Sequence, residues 1–131
     1  MRRNPLKYTP VFCCLAAAFN LAAEDAVNFN RDIRPVLSNK CFQCHGPNEE
    51  DREEDLRLDV SDGEYGALIA REDYFIIKPG EPEESELWWR ITEEDEDERM
   101  PPVKSHKTSL TEKEIASFTQ WIKEGAKYQK Y

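Results

Sequence analysis

The sequence concentrates its most reactive side chains in one short run, Cys41-Phe42-Gln43-Cys44-His45. This is the spacing at which c-type haem is attached to proteins. Two thiols three residues apart lie on one side of a turn and can each add to a haem vinyl group, and the next histidine reaches the iron. We therefore expect Cys41 and Cys44 to hold one haem c through thioether bonds, with His45 as an axial ligand of its iron.

Two other uses of these cysteines remain open from the sequence. A redox dithiol is one, although that function usually comes with a βαβ pattern, which the sequence lacks. A zinc-binding interaction module is the other. Closed zinc sites use four ligands, and after residue 23 the chain has only Cys41, Cys44, His45 and His106 as cysteines and histidines. The adjacent Cys44 and His45 would be awkward to use together.

The sixth ligand decides whether a haem iron is closed for electron transfer or open to small molecules. Met100 is the only methionine after the first residue, and it lies 55 residues after His45 on a loop stiffened by two prolines. We expect Met100 to be the second axial ligand. His106 is the rival, although it lies in a polar stretch that looks exposed. An open or labile sixth site would instead indicate a haem enzyme or a gas sensor.

The first 23 residues differ in composition from the rest of the chain. A basic start is followed by an apolar run of 13 residues, Val11 to Ala23, and then by Glu24 and Asp25. This layout predicts a secretory signal peptide over residues 1–23, cleaved after Ala22 or Ala23, and a cytochrome domain over residues 24–131. We expect export to the periplasm or an equivalent compartment. An uncleaved anchor is the alternative, but 13 apolar residues span a bilayer poorly.

The charge of the chain limits its partners. The formal net charge is −9, and the chain after residue 23 carries 15 basic and 27 acidic residues, a balance of −12. Nucleic acid is therefore a poor partner, and a redox protein with a basic docking face is the expected one. Six consecutive acidic residues, Glu93 to Glu98, predict an exposed loop. No transmembrane span is expected in the mature chain.

Helical signals occur near both ends of the mature chain. Apolar spacing predicts a helix over Asn28–Lys40, with Asn30 as its N-cap. Ser85 precedes a second, short helix. Thr111 begins a capping box before an amphipathic helix that stops near Gly125. The expected fold class is small and mainly α.

Several side chains could surround a haem without the sequence favouring any one of them. Arg57, Arg90 and Arg99 are candidates to pair with the haem propionates, although an exposed arginine with no special role is more common. The aromatic residues that could line a porphyrin, or equally be ordinary core, are Tyr74, Phe75, Trp88, Trp89 and Trp121.

Taken together, the motifs resemble the planctomycete-type cytochrome c domain. The matching runs are Phe29–Leu37, Cys41–Pro47, Leu56–Asp59, Pro79–Leu87, Arg99–Pro102, Leu110–Thr111 and Trp121–Ala126. The resemblance implies a class I cytochrome c-like fold, with first and last helices packed together around one covalent haem. It implies that His45 and Met100 are the axial ligands. It also implies single-electron transfer between redox partners rather than enzyme activity.

Overall fold

The computed structural model describes residues 25–130, and the secondary structure of this range is mainly helical. A π-helical turn, Phe29–Ile33, leads into α1 (Arg34–Lys40). The other α-helices are α2 (Glu86–Thr92) and α3 (Glu112–Lys123). Short 3-10 turns lie at Pro82–Glu84 and Val103–Ser105. The predicted mainly α class is confirmed, whereas the predicted signal peptide over residues 1–23 lies outside the described residues.

The first helical segment begins earlier than predicted. Asn28, not Asn30, is the N-cap, because the Asn28 side chain accepts a hydrogen bond from the Arg31 amide at 2.9 Å. The Asp32 carboxylate accepts a hydrogen bond from the Asn28 amide at 2.8 Å. The π-helical turn adds a helical segment before α1, and it moves the cap two residues toward the N-terminus. Pro35 falls in the first turn of α1, where its missing N–H costs nothing.

Ser85 precedes α2 as predicted, but its side chain does not cap the helix. The Ser85 hydroxyl donates to the Glu81 carbonyl and accepts from the Lys78 amide, both at 2.9 Å. Ser85 is fully buried, so these two bonds satisfy a polar group that would otherwise destabilise the fold. The residue therefore fixes the turn before α2 rather than the helix end itself.

The prediction for α3 is confirmed at both ends. Thr111 and Glu114 form the capping box, with the Glu114 carboxylate accepting from the Thr111 amide at 2.7 Å. The helix ends at Lys123, and Gly125 adopts the left-handed conformation, with φ of 101°, that favours glycine just after a helix.

An aromatic cluster joins the first helical turn to α3. The Phe29 ring lies 5.5 Å from Trp121 and 4.5 Å from Tyr128, and Phe118 contacts Trp121 edge-on at 6.1 Å. Phe29, Phe118 and Trp121 are fully buried, and each such side chain contributes about 1.5–3 kcal/mol through apolar burial. The first and last helical segments therefore pack together, as the resemblance implied.

The chain between α1 and α2 is irregular and is tied to this cluster. Leu56 and Leu58 are buried, and the Tyr128 hydroxyl donates to the Leu58 carbonyl at 3.0 Å. Isolated bridges take the place of regular strands within residues 25–130. No helix in this range has both the length and the apolarity to cross a bilayer.

Candidate haem site

The Cys-Phe-Gln-Cys-His run continues the helical path of α1. The Cys41 amide donates to the Leu37 carbonyl at 2.8 Å, and the His45 amide donates to the Cys41 carbonyl at 2.8 Å. The turn is so tight that a Cβ on Gly46 would overlap the carbonyl oxygen of Phe42. The motif is therefore held in one helical turn, on which both thiols and the imidazole are displayed.

Backbone contacts hold the His45 ring in one orientation. The Nδ1 atom of His45 lies 3.3 Å from the Glu53 carbonyl oxygen, and the Glu53 amide donates to the Cys44 carbonyl at 2.7 Å. A carbonyl oxygen only accepts, so Nδ1 carries the proton in this contact and the Nε2 lone pair is left for a metal. Burial lowers the pKa of His45 and so favours the neutral imidazole that a metal requires.

The loop that supplies the Glu53 carbonyl has an unusual backbone. Glu54 and Asp55 both lie in the left-handed region, with φ of 57° and 47°. Non-glycine residues rarely adopt this conformation, and consecutive examples mark a conformation imposed by the surrounding structure. The Leu58 amide then donates to the His45 carbonyl at 2.9 Å. Sequence reasoning missed this support for His45, since a backbone carbonyl leaves no residue-type signal.

Met100 is positioned by the end of α2. Its amide donates to the Arg90 carbonyl at 2.8 Å. The Arg90 guanidinium binds Glu86 at 2.7 Å and Glu98 at 2.6 Å, so it also anchors the acidic segment that precedes Met100. The predicted exposed loop over Glu93–Glu98 is confirmed. The loop is free at its tip and fastened next to Met100.

Cys41, Cys44, His45 and Met100 line a single cavity of about 700 Å³. This volume lies within the range of about 300–1,000 Å³ that is usual for cofactor sites. The apolar part of its lining comes from both sides of the irregular segment and from α2: Leu56, Leu58, Ile76, Leu87 and Ile91. The rival ligand His106 is exposed and does not line the cavity.

The far wall of the cavity is fastened to the end of α1 by Lys40. Its ammonium donates to the Ser109 carbonyl at 2.8 Å and lies 3.3 Å from the Glu114 carboxylate. Lys40 is almost completely buried, with 6% of its side chain exposed, so these partners satisfy its charge. The segment that follows Met100 is thereby held across the cavity from the haem-attachment motif.

The aromatic candidates separate into different environments. Tyr74 lines the cavity, whereas Trp121 belongs to the cluster with Phe29 and Tyr128. Trp88 donates to Thr119 at 3.0 Å, and Trp89 is 52% exposed. Of the five residues considered from the sequence, only Tyr74 is therefore part of the cavity wall.

The thiol environment argues against a redox dithiol. Burial of the Cys41 thiol, reinforced by nearby Cys44, raises its pKa to about 12 against a smaller opposing effect of Lys40. Reactive dithiols need a lowered pKa, because the thiolate is the nucleophile. Within residues 25–130, no three Cys, His, Asp or Glu side chains are grouped so as to hold a metal ion, so the zinc reading gains no support.

The fold and this cavity define a small helical domain with a haem-attachment motif, the class of c-type cytochrome domains. Residues 41–104 match the family described as Planctomycete cytochrome C. The predicted resemblance is confirmed: the chain carries a planctomycete-type cytochrome c domain. That family implies covalently bound haem c and a role in electron transfer. No curated protein and no solved structure matches the chain.

Proposed function

We propose that this protein is an exported, mono-haem c-type cytochrome that passes single electrons between redox partners. The observation that carries the proposal is the convergence of Cys41, Cys44, His45 and Met100 on one cavity from distant parts of the sequence. The haem iron, when bound, supplies the one-electron change between its ferrous and ferric states. The remaining functions belong to side chains and loops of the protein itself.

The residues of the cavity fit such a cofactor in size and in chemistry. The volume of about 700 Å³ and the leucine and isoleucine walls suit a large flat apolar group. A neutral imidazole and a thioether are the ligand pair that closes haem iron and raises its reduction potential. Cys41 and Cys44 would form the two thioethers, His45 one axial bond and Met100 the other.

The supports around each ligand favour electron transfer over ligand exchange. His45 is held by the Glu53 carbonyl, and Met100 is held by the Arg90 carbonyl. Ligands that keep their positions in both oxidation states reduce the structural change that accompanies each electron transfer. A haem enzyme or gas sensor would need a free sixth position, and Met100 lies in the same cavity as His45.

The acidic loop offers a docking surface for a basic redox partner. Residues Glu93 to Glu98 are exposed and lie directly before Arg99 and Met100, next to the cavity. Such a charge concentration accelerates encounter with an oppositely charged protein, and salt weakens the effect. We expect the rate of electron exchange with a basic partner to fall as ionic strength rises. A rate independent of salt would contradict this part of the proposal.

Optical spectroscopy of the exported protein tests the proposal directly. The full chain is expressed in a host with haem-attachment machinery, and spectra are recorded for the oxidised and reduced forms. We expect one covalently retained haem and the far-red band of a ferric methionine–iron bond. Met100→Ala should lose that band, and the matched control His106→Ala should keep it.

Other outcomes of the same experiment would identify the alternatives. Loss of the band in His106→Ala would make His106 the ligand. Tight binding of carbon monoxide to the reduced wild-type protein would favour the haem enzyme or gas sensor. A colourless protein would overturn the haem assignment and leave zinc or a dithiol. Mass spectrometry of the exported chain would show whether it begins after Ala22 or Ala23.

A further inference from the structure

The cavity contains cations that differ in whether they have a counter-ion. Lys40 lies 3.3 Å from Glu114, and Arg90 is bound by Glu86 and Glu98. Arg99 also lines the cavity, but no carboxylate of residues 25–130 forms an ion pair with it. The difference is notable in a chain of net charge −9, where carboxylates outnumber cations.

The guanidinium of Arg99 is also incompletely hydrogen-bonded. Its Nη1 donates to the Ser109 hydroxyl, but its Nε is buried and has no acceptor within the described part of the chain. A buried donor without a partner costs about 1–3 kcal/mol, and more when the group is charged. No acidic residue occurs between Arg99 and Thr111, so the local sequence offers no counter-ion. The site lacks an anion with oxygen acceptors.

We propose that Arg99 binds a propionate carboxylate of the haem. This inference rests on the proposed function, since the haem brings the missing anion into the cavity. The planar guanidinium suits a carboxylate because it can donate two parallel hydrogen bonds, and Nε is one of the donors available for such a pair.

The other two arginines that the sequence made candidates are already occupied. Arg57 forms an ion pair with Asp59 at 2.5 Å and does not line the cavity. Arg90 lines the cavity, but its donors are used by Glu86 and Glu98. Arg99 is thus the candidate arginine that has both access to the cavity and a free buried donor.

The assignment gives Arg99 an electrostatic effect on the iron. A fixed positive charge beside the haem, which also neutralises a propionate, stabilises the ferrous form relative to the ferric form. It therefore raises the reduction potential. Arg99 is a positioning residue, because it holds the cofactor edge and precedes the axial ligand Met100 without touching the iron itself.

The test compares Arg99→Gln with Arg71→Gln in the haem-loaded protein. Arg71 is a matched control, because its Nη2 is also buried without a partner but Arg71 does not line the cavity. We expect Arg99→Gln to keep the far-red methionine band and to lower the reduction potential. Arg71→Gln should leave the potential close to that of the wild type. Equal potentials in the two variants would overturn the inference while the proposed function stands.

A second measurement decides the matter if Arg99→Gln does not fold. In nitrogen-15 NMR spectra of the wild type, one slowly exchanging arginine Nε–H signal should shift between the ferric and ferrous states. It should be absent from Arg99→Lys, which keeps the charge but has no Nε–H. If the signal missing from Arg99→Lys exchanges rapidly and does not shift, the inference is wrong. A wild-type protein without haem would overturn both this inference and the proposed function.

Discussion

The helical core and the cavity wall are built on different principles. In the core, Phe29, Phe118 and Trp121 fill the space between the first helical turn and α3 with their own side chains. The cavity wall leaves about 700 Å³ unfilled, and it is held by backbone hydrogen bonds at Glu53 and Arg90. The first region is complete without a cofactor, whereas the second is shaped to receive one. The difference predicts which changes destabilise the fold and which disable the site.

The largest expected effect is that of the double variant Cys41→Ser, Cys44→Ser. Without thioether bonds we expect no covalently retained haem, and we expect the cavity wall to lose the stabilisation that a bound cofactor supplies. Hydrogen exchange should show lost protection at the Leu58 and Met100 amides relative to the haem-loaded wild type. The Ala126 amide, bonded to the Trp121 carbonyl at 2.9 Å, should lose less. Equal losses at all three amides would contradict the division into two regions.

Removal of the central core residue should act on stability instead. Trp121→Ala deletes a fully buried side chain and its contacts with Phe29 and Phe118, at an expected cost of about 3–5 kcal/mol in the free energy of unfolding. Denaturant unfolding of the haem-loaded protein measures this cost. The folded fraction should keep its far-red methionine band. Loss of the band in protein that is still folded would mean that the core also controls ligation.

Tyr128→Phe tests the connection between the two regions. The variant removes the hydrogen bond to the Leu58 carbonyl, which we expect to cost about 1 kcal/mol at neutral pH. Burial of the hydroxyl raises the pKa of Tyr128 above its ordinary value of 10.0. In the wild type the unfolded chain therefore loses this proton before the folded chain does, so stability falls as pH rises above about 10.

Phenylalanine has no proton to lose, so the stability difference between wild type and Tyr128→Phe should narrow above that pH. Unfolding curves at pH 8 and above pH 10 provide the comparison. A difference that is constant with pH would show that the environment of the Tyr128 hydroxyl is not the cause of the alkaline loss.

The smallest expected effect is on the reduction potential, and it comes from the acidic loop. Asp97 lines the cavity, whereas Glu96 is exposed and does not. Loss of a negative charge disfavours the ferric form, so Asp97→Asn should raise the potential more than Glu96→Gln does. Voltammetry at low salt is the appropriate measurement, because solvent ions screen exposed charges. If Glu96→Gln gave the larger rise, distance from the cavity would not control the effect.

Local sequence determined the features that depend on neighbouring residues. The haem-attachment run Cys41–His45 depends on residue types at fixed spacing, and the capping box of α3 joins Thr111 and Glu114 within one helical turn. The mainly α class followed from apolar periodicity in the same way. The cap of the first helical segment was misplaced at Asn30, because both asparagines are good caps and a π-helical turn leaves no clear mark in the sequence.

Only the tertiary structure decided which distant residues share the cavity. It brought Met100 to the same space as His45 and left His106 exposed, although both are plausible ligands by residue type. It also separated three equivalent arginines by their partners, leaving Arg99 as the one that lines the cavity with a free buried donor. The physical reason is that ligation and ion pairing depend on distances across the fold. These distances are set by packing of α1, α2 and the intervening loops, and no local pattern encodes them.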